Sequence, residues 1–265
     1  MKEIRELPPP DTCNLLLATM LTLSSTSLER YGLNRVFEFA KKAQYDGVDI
    51  EVTRIFDTFD AQYIKSLTEQ SGIPLVNFVL PKKLTSKDQV MKYIDIAAEA
   101  GAQIVTMHPP KLFDFSFAQW MKTELPQMRK KFGIKIALLN ATPARLLGFL
   151  PQHAMNSASE LKKFRQVCLD TSNTYALNED LIRMYEKLKG EIVHIFLSNV
   201  RNGRDHTLPM EGSLPIESLL TKLKRDEYKG AISIRVMSRE LGEGNEEHIL
   251  QKLQLTKEFV QKYMA

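Results

Sequence analysis

Side chains that can move protons or bind anions stand at the ends of short apolar runs in this sequence. His108 ends the run IVTMH, Asp170 ends VCLD, and Asn140 follows IKIALL. Arg235 lies in the last run, AISIRV, and His206 lies in the polar loop after the seventh run. Histidine titrates near neutral pH, and arginine binds carboxylate or phosphate through two parallel hydrogen bonds. If the runs end on one face, these side chains can form a site for a small polar ligand.

The apolar runs recur about every 30 residues, and each is followed by a pattern typical of an amphipathic helix. The eight runs are Cys13–Met20, Gly47–Val52, Pro74–Leu80, Ile104–His108, Ile134–Leu139, Val167–Asp170, Ile192–Leu197 and Ala231–Val236. Buried strands alternating with helices predict a parallel sheet covered by helices, and eight such units fit one (β/α)8 TIM barrel. In such a barrel the chemistry lies on the loops after the strands, where Glu51 and Lys82 also occur.

Composition favours one domain over residues 1–265. The chain is 43% hydrophobic, and no low-complexity linker interrupts the strand and helix rhythm. Its 36 basic and 32 acidic side chains give a net charge of +4, which does not suggest a nucleic acid or a membrane as partner. Cys13 and Cys168 are expected to be apolar fillers, which favours a reducing, cytoplasmic location. The run Leu15–Leu23 is expected to belong to the first strand, because acidic residues and prolines precede it.

The predicted site draws on the ends of several strands. We expect catalytic roles for His108, His206 and Asp170. Ligand-binding roles are expected for Asn140, Asn173, Asn199, Arg201, Arg204 and Arg235. The residues leave two roles open for Arg235, a cation that orients a ligand and a structural ion pair with Asp170. His108 and His206 can likewise be plain loop residues, whereas His153, His194 and His248 are expected to be structural.

Two loops near the end of the chain carry features that suit an anion. Arg201 and Arg204 follow the seventh run, and Gly242–Asn245 (GEGN) follows the eighth. Loops at these places in TIM barrels often bind phosphate, and Asn245 can cap the last helix. The alternative is an ordinary glycine turn before a capped helix.

Several segments occur here in an order that resembles a known family. They are AQYDGVDI, AAEAGAQIVTMHPP, VCLDTSN, IFLSN followed by RDHTLPMEGSLPIESLLTKL, and YKGAISIRV. This order resembles the xylose isomerase-like barrel superfamily, which includes sugar isomerases and epimerases, inosose dehydratases, hydroxypyruvate isomerase-like enzymes and apurinic-site endonucleases. The resemblance covers nearly the whole chain. It implies a TIM barrel, activity on a sugar or sugar-derived anion, and a homodimer.

The chain departs from this family at the metal site. The resemblance implies a divalent metal such as Mn, Mg or Zn. At the matched ligand positions this chain keeps Asp170 and His206, and the two glutamates are replaced by Leu139 and Arg235. Two further histidine positions carry Asn173 and Phe196. Because few ligands remain and a guanidinium repels a divalent cation, we expect no bound metal. We expect the Arg235 guanidinium to supply the positive charge in place of the metal and to form a bidentate pair with Asp170.

Three functions follow from the resemblance and its departures. The first is an isomerase or epimerase that moves a proton next to a carbonyl, with His108 or His206 transferring the proton. In that case Arg235 and Asn140 stabilise the negative charge on the enediolate oxygen. The second is a non-catalytic barrel that binds a metabolite or a partner protein. The third, a phosphodiesterase acting on damaged DNA, needs a metal cluster and a basic face that the sequence does not supply.

Overall fold

Eight parallel strands close one barrel in the computed structural model, which describes residues 19–142, 145–146 and 150–264. We number them in chain order as β1 (Met20–Ser24), β2 (Gly47–Glu51), β3 (Leu75–Val79), β4 (Ile104–Met107), β5 (Lys135–Leu139), β6 (Val167–Asp170), β7 (Ile192–Leu197) and β8 (Ala231–Ile234). Each strand pairs with its chain neighbours, and β1 pairs with β8 to close the ring. The predicted TIM barrel is therefore confirmed.

The first strand begins later than the sequence pattern predicts. The prediction was Cys13–Met20, whereas β1 runs from Met20 to Ser24; residues 13–18 lie outside the described part of the chain. The predicted strand lies in a longer apolar stretch, Leu15–Leu23, and the residues that pair in the barrel are Met20–Ser24. In the barrel, Thr22 pairs with Gly47 of β2, which fixes the register.

Helices cover the outside of the barrel. They are α1 (Leu33–Lys42), α2 (Ala61–Ser71), α3 (Lys87–Glu99), α4 (Phe115–Thr123), α5 (Leu125–Phe132), α6 (Ala158–Phe164), α7 (Thr171–Ala176), α8 (Leu181–Leu188), α9 (Ile216–Arg225) and α10 (Glu246–Met264). Three short 3-10 helices, Ser25–Leu28, Phe56–Phe59 and Ser238–Leu241, follow β1, β2 and β8.

Helix α3 shows how the sequence builds these units. The Ser86 side chain accepts a hydrogen bond from the Gln89 amide and starts the helix. Val90, Ile94 and Ala97 repeat at helical spacing and are fully buried against the barrel. Burying each branched side chain contributes roughly 1.5–3 kcal/mol, so this stripe holds the helix in place.

Two short antiparallel hairpins extend the loops. One pairs Arg145–Leu146 with Leu150–Pro151 after β5, and the other pairs Asn199–Arg201 with Arg204–Thr207 after β7. The second hairpin matters for the site because it carries His206 to the barrel mouth. None of the helices that the structure describes has both the length and the apolar character needed to cross a membrane.

A fully buried polar cluster lies inside the barrel, below the mouth. His194 Nε2 stands 2.7 Å from Asp49 Oδ2, although the contact lacks hydrogen-bond geometry. Asn77 Nδ2 donates to Asp49 Oδ2 (3.4 Å), and Thr106 Oγ1 donates to Asn77 Oδ1 (2.9 Å). Cys168 is buried beside this cluster. These contacts hold four strands together and leave the mouth above them for ligand chemistry.

Candidate functional site

A cleft of ≈ 570 Å³ opens at the carboxyl ends of β1, β2 and β8. Its lining includes Glu51, Lys82, His206 and Arg235, whose side chains can bind an ion or transfer a proton. Asp170 ends β6 and contacts two of them. Because a TIM barrel presents its chemistry at this end of the strands, the cleft is the candidate site.

Arg235 follows β8 and lies at the centre of these groups. Its Nη2 donates to Glu51 Oε2 (2.5 Å), and its guanidinium carbon stands 4.4 Å from the centre of the Phe196 ring. Nη1 lies 3.9 Å from Asp170 Oδ2, which is too long for a hydrogen bond. The expected bidentate pair between Arg235 and Asp170 is therefore wrong, and Arg235 forms its hydrogen bond with Glu51 instead. The barrel's geometry puts the carboxylate of β2 nearer to this guanidinium than the carboxylate of β6.

Asp170 and His206 form a second pair beside Arg235. His206 Nε2 lies 3.4 Å from Asp170 Oδ2, and Asp170 Oδ1 accepts a hydrogen bond from the Asn173 amide (3.0 Å). Burial alone would lower the pKa of His206, but the Asp170 carboxylate outweighs it and raises that pKa above its usual 6.5. Burial favours a raised pKa for Asp170, and the charges of His206 and Arg235 reverse this and lower it.

The backbone of His206 fixes its side chain at the cleft. His206 adopts a φ of +53°, a left-handed conformation that costs a non-glycine residue about 1–3 kcal/mol. Its amide donates to Ser172 Oγ (3.2 Å), and its carbonyl accepts from the Met237 amide (2.8 Å). The strained conformation is thus held from two sides, by α7 and by the loop after β8.

The pKa of His108 shifts in the opposite direction from that of His206. Burial, reinforced by the positive charges of Arg235 and Lys82, lowers the pKa of His108 to about 3. Its Nε2 is buried and has no hydrogen-bond partner among the described residues. An imidazole that stays neutral to such a low pH is a weak base. His108 is also not among the residues that line the cleft, and the proton transfer expected of it stays a prediction.

The three asparagines of the predicted site make hydrogen bonds within the protein. Asn140 Oδ1 accepts from the Asp170 amide (2.6 Å), and its Nδ2 donates to the Asp170 carbonyl (3.0 Å). Asn173 Nδ2 donates to the Asn140 carbonyl (2.9 Å), and Asn199 Nδ2 donates to the Pro209 carbonyl (2.9 Å). All three are buried. These contacts order the loops around Asp170 and His206, and the expected ligand contacts stay predictions.

Arg201 and Arg204 lie outside the main cleft. Both are exposed on the hairpin after β7 and line a neighbouring cleft instead. Arg201 forms ion pairs with Glu211 (2.5 Å) and Glu240 (3.0 Å). The structure therefore separates these two arginines from Arg235, with which the sequence analysis grouped them.

Glu51 and Lys82 also belong to the site. The sequence places both at strand ends but does not indicate a role for either. Glu51 ends β2 and is the closest partner of Arg235, and its Oε1 lies 3.9 Å from Lys82 Nζ. Their positions near the ends of the second and third apolar runs were the available signal. What the sequence does not show is that Glu51 and Arg235, 184 residues apart, meet across the mouth.

The residues at the family's metal positions do not fit a divalent cation. Leu139 offers no ligand atom, and the Arg235 guanidinium carries positive charge within 3.9 Å of Asp170. In the part of the chain that the structure describes, no three His, Cys, Asp or Glu side chains are grouped closely enough to hold a metal ion.

Comparisons with known proteins agree with this fold. Two curated relatives are uncharacterized proteins: ML2432 of Mycobacterium leprae is 22% identical over 81% of this chain and 87% of its own length, and Rv0498 of Mycobacterium tuberculosis is 21% identical over 86% and 92%. A D-tagatose 3-epimerase-like protein superposes with a TM-score of 0.71 at 18% identity, covering 92% of this chain and 98% of its own. D-allulose 3-epimerase from Methylomonas sp., solved with D-allulose, gives 0.70 at 14%, covering 93% and 97%.

These structural similarities, at low identity, establish the fold alone. The sequence model of one family, described as the xylose isomerase-like TIM barrel, matches residues 37–259. This match spans the strands from β2 to β8, including Asp170, His206 and Arg235. On that match and on its closed eight-stranded barrel, the chain belongs to the xylose isomerase-like TIM barrel family.

Proposed function

We propose that this protein is an isomerase or epimerase of a sugar-derived anion, and that it works without a bound metal. The observation that carries this proposal is the position of the Arg235 guanidinium, next to Glu51 and close to Asp170 and its partner His206. A fixed cation, a carboxylate and an imidazole at one mouth suit proton transfer next to a carbonyl. The epimerases among the structurally similar proteins support the same reaction class.

Arg235 binds the anionic part of the ligand. A guanidinium has five N–H donors, and among the described residues its side chain makes one hydrogen bond, to Glu51. Its other donors can bind a carboxylate or an enediolate oxygen. Stacking on Phe196 fixes the plane of the guanidinium, and the exposed Lys82 adds positive charge at the rim.

Glu51 and His206 carry the proton transfers. The Glu51 carboxylate removes a proton from the carbon next to the carbonyl, and the electron pair moves to the carbonyl oxygen to form an enediolate. Arg235 stabilises that oxyanion, because its charge is in place before the reaction begins. The His206 imidazolium then donates a proton to the opposite face of the same carbon in an epimerisation, and the carbonyl re-forms. In an isomerisation it donates to the former carbonyl carbon, while the proton of the neighbouring hydroxyl moves to the former carbonyl oxygen and the neighbouring carbon becomes the new carbonyl. Proton exchange with solvent at the open cleft returns both groups to their starting states.

His206 and His108 contribute in different ways. Asp170 raises the pKa of His206 and so favours the protonated form that the second step needs. His108, with a pKa lowered to about 3, is a neutral group that lies outside the lining of the cleft. Its neutral state avoids adding a second positive charge beside Arg235.

A second candidate is a barrel that binds a metabolite without converting it. The observation in its favour is Leu139, an apolar side chain that is fully buried where the family resemblance implies an acidic ligand. Loss of that carboxylate removes one group that could take part in chemistry. The binding role of Arg235 is the same under both candidates, so turnover decides between them.

The test uses chelator-treated protein and a panel of sugars, sugar acids and sugar phosphates. We expect an anionic ligand to raise the melting temperature without metal, and Arg235→Ala to abolish that increase. Arg54→Ala, an exposed arginine on the loop after β2, is the matched control and should respond as the wild type does. Proton NMR in deuterium oxide should show exchange of the ligand's C–H next to the carbonyl, lost in Glu51→Gln.

Two results would overturn the proposal. Stabilisation that requires added Mn, Mg, Zn or Co and disappears in Asp170→Asn would show that a metal binds after all. Ligand binding that depends on Arg235 but gives no hydrogen exchange with any member of the panel would favour the non-catalytic barrel.

A further inference from the structure

A second cleft, of ≈ 520 Å³, lies beside the first. It is formed by the hairpin after β7, the loop after β8 and the first turns of α10, with Arg201, Arg204, Glu211, Arg239, Glu240 and Lys252 among its lining residues. We propose that this cleft binds the phosphate of a phosphorylated sugar or sugar acid whose carbon chain lies in the first cleft. The proposal deepens, and rests on, the proposed function.

The charge of the second cleft suits a phosphate monoester. Four of its lining side chains are Arg or Lys and two are Glu, so it carries a formal excess of two positive charges with His248 taken as neutral. A phosphate monoester carries about −1.5 to −2 charge at pH 7. Arginine binds such a group through two parallel hydrogen bonds, which adds geometric selection to the charge match.

The hairpin places two arginines directly opposite one another. Arg201 pairs with Arg204 across a two-residue turn, Asn202–Gly203, whose φ angles are +53° and +74°. Like charges in facing positions of a β-ladder destabilise it. Glu211 and Glu240 offset the charge of Arg201, whereas Arg204 forms no ion pair within the described ranges. A bound phosphate would supply the missing counter-charge.

The two clefts share Arg239 in their linings. Its side chain lines both of them, and its Nε lies 3.8 Å from Glu240 Oε1. One ligand can therefore place an oxyanion against Arg235 in the first cleft and a phosphate beside Arg204 in the second. Loops after the seventh and eighth strands of TIM barrels are a common place for phosphate, which agrees with this arrangement.

Inorganic phosphate is the direct probe, because its binding needs neither a known substrate nor turnover. Phosphorus NMR titrations at constant ionic strength would compare wild type, Arg204→Gln and Arg183→Gln. Arg183 is an exposed arginine on α8, outside both clefts, and serves as the matched control. We expect Arg204→Gln to weaken phosphate binding by about tenfold or more, as the loss of a charge-assisted hydrogen bond implies, and Arg183→Gln by less than about twofold.

Arg235→Ala separates the failure of this proposal from that of the proposed function. Phosphate affinity that falls in Arg235→Ala but not in Arg204→Gln places the anion in the first cleft and overturns the second as a phosphate site. No measurable phosphate binding, or an equal loss in the Arg183→Gln control, overturns it as well. Binding that depends on Arg204, with no hydrogen exchange for any sugar phosphate, leaves the phosphate site in place and removes the isomerase.

Discussion

The Arg235 guanidinium stacks on the ring of Phe196, with 4.4 Å between its carbon and the ring centre. These two residues occupy positions where the family resemblance implies a metal-binding glutamate and a histidine, and here they contact each other. Two of the departures from the family are therefore in direct contact. A positive charge remains at the mouth, held by an aromatic ring beneath it and by the Glu51 carboxylate beside it.

The first prediction concerns the coupling between Arg235 and Phe196. A double-mutant cycle with Phe196→Leu and Arg235→Gln should give an interaction energy of about 0.5–2 kcal/mol, because the guanidinium stacks on the ring where both are buried. Urea unfolding measures the four free energies. Phe78→Leu, a change at an equally buried phenylalanine of β3, is the control and should be additive with Arg235→Gln. Additivity at Phe196 as well would mean that the ring does not hold the guanidinium.

The second prediction is a pH dependence at the Asp170–His206 pair. The folded pKa of His206 is raised above 6.5, so the stabilisation from this pair is complete below about pH 6.5 and is lost as pH rises through the folded pKa. Because the pKa of Asp170 is lowered from 3.8, the same stabilisation is lost at the acid end. The difference in free energy of unfolding between wild type and His206→Gln should shrink from pH 6 to pH 9. A difference that grows over this range would contradict the pairing.

The third prediction concerns His108, whose titration has the opposite sign. Its pKa falls from 6.5 to about 3 on folding, so the unfolded chain binds a proton that the folded protein does not. Acidification between about pH 6.5 and pH 4 should then destabilise wild type by up to about 1.4 kcal/mol per pH unit relative to His108→Gln. Unfolding measured across this range checks the slope, and NMR of the imidazole protons should show His108 still neutral at pH 5.

The fold follows from the sequence more directly than the site does. Strand positions depend on local apolar runs, and all of these except the first lie where the runs predict them, because polar loops mark their ends. The first predicted run, Cys13–Met20, lies in a longer apolar stretch that continues to Leu23, so the position of β1 depends on its pairing with β2 and β8.

The site depends on contacts between distant strands, which local patterns do not encode. In the sequence, Asp170 and Arg235 lie at or near the ends of apolar runs, and His206 lies in a polar loop. The structure brings the three side chains together at the mouth of the barrel. The choice of Glu51 as the closest partner of Arg235 follows from the packing of the closed barrel. Asn140 is a similar case. Its partner is a main-chain amide of β6, which the sequence does not reveal, so Asn140 is predicted from sequence to bind a ligand.

The last prediction distinguishes two roles for Asn140, a direct contact with the ligand and a structural contact that orders the chain around Asp170. In Asn140→Ala the buried amide of Asp170 loses its acceptor, and we expect a loss of about 2–4 kcal/mol in the free energy of unfolding. Thr174→Val removes the hydrogen bond that Thr174 Oγ1 accepts from Asn140 Nδ2 and the one that it donates to the Asp170 carbonyl. Because Asn140 Nδ2 and the Asp170 carbonyl still bond each other, we expect a smaller loss, about 1–2 kcal/mol. Urea unfolding of both variants checks this order.

Ligand affinity supplies the decisive comparison for this residue. If Asn140 acts through the loop, the anionic ligand should bind Asn140→Ala more weakly only to the extent that Asp170 and His206 are displaced, and the pH dependence of His206 should change with it. A variant with unchanged stability and unchanged His206 titration, but with weaker ligand binding, would instead support the direct ligand contact that the sequence predicts. The amide's hydrogen bonds to the main chain of β6 favour the first outcome, because each donor and acceptor atom of Asn140 already has a partner there or on α7.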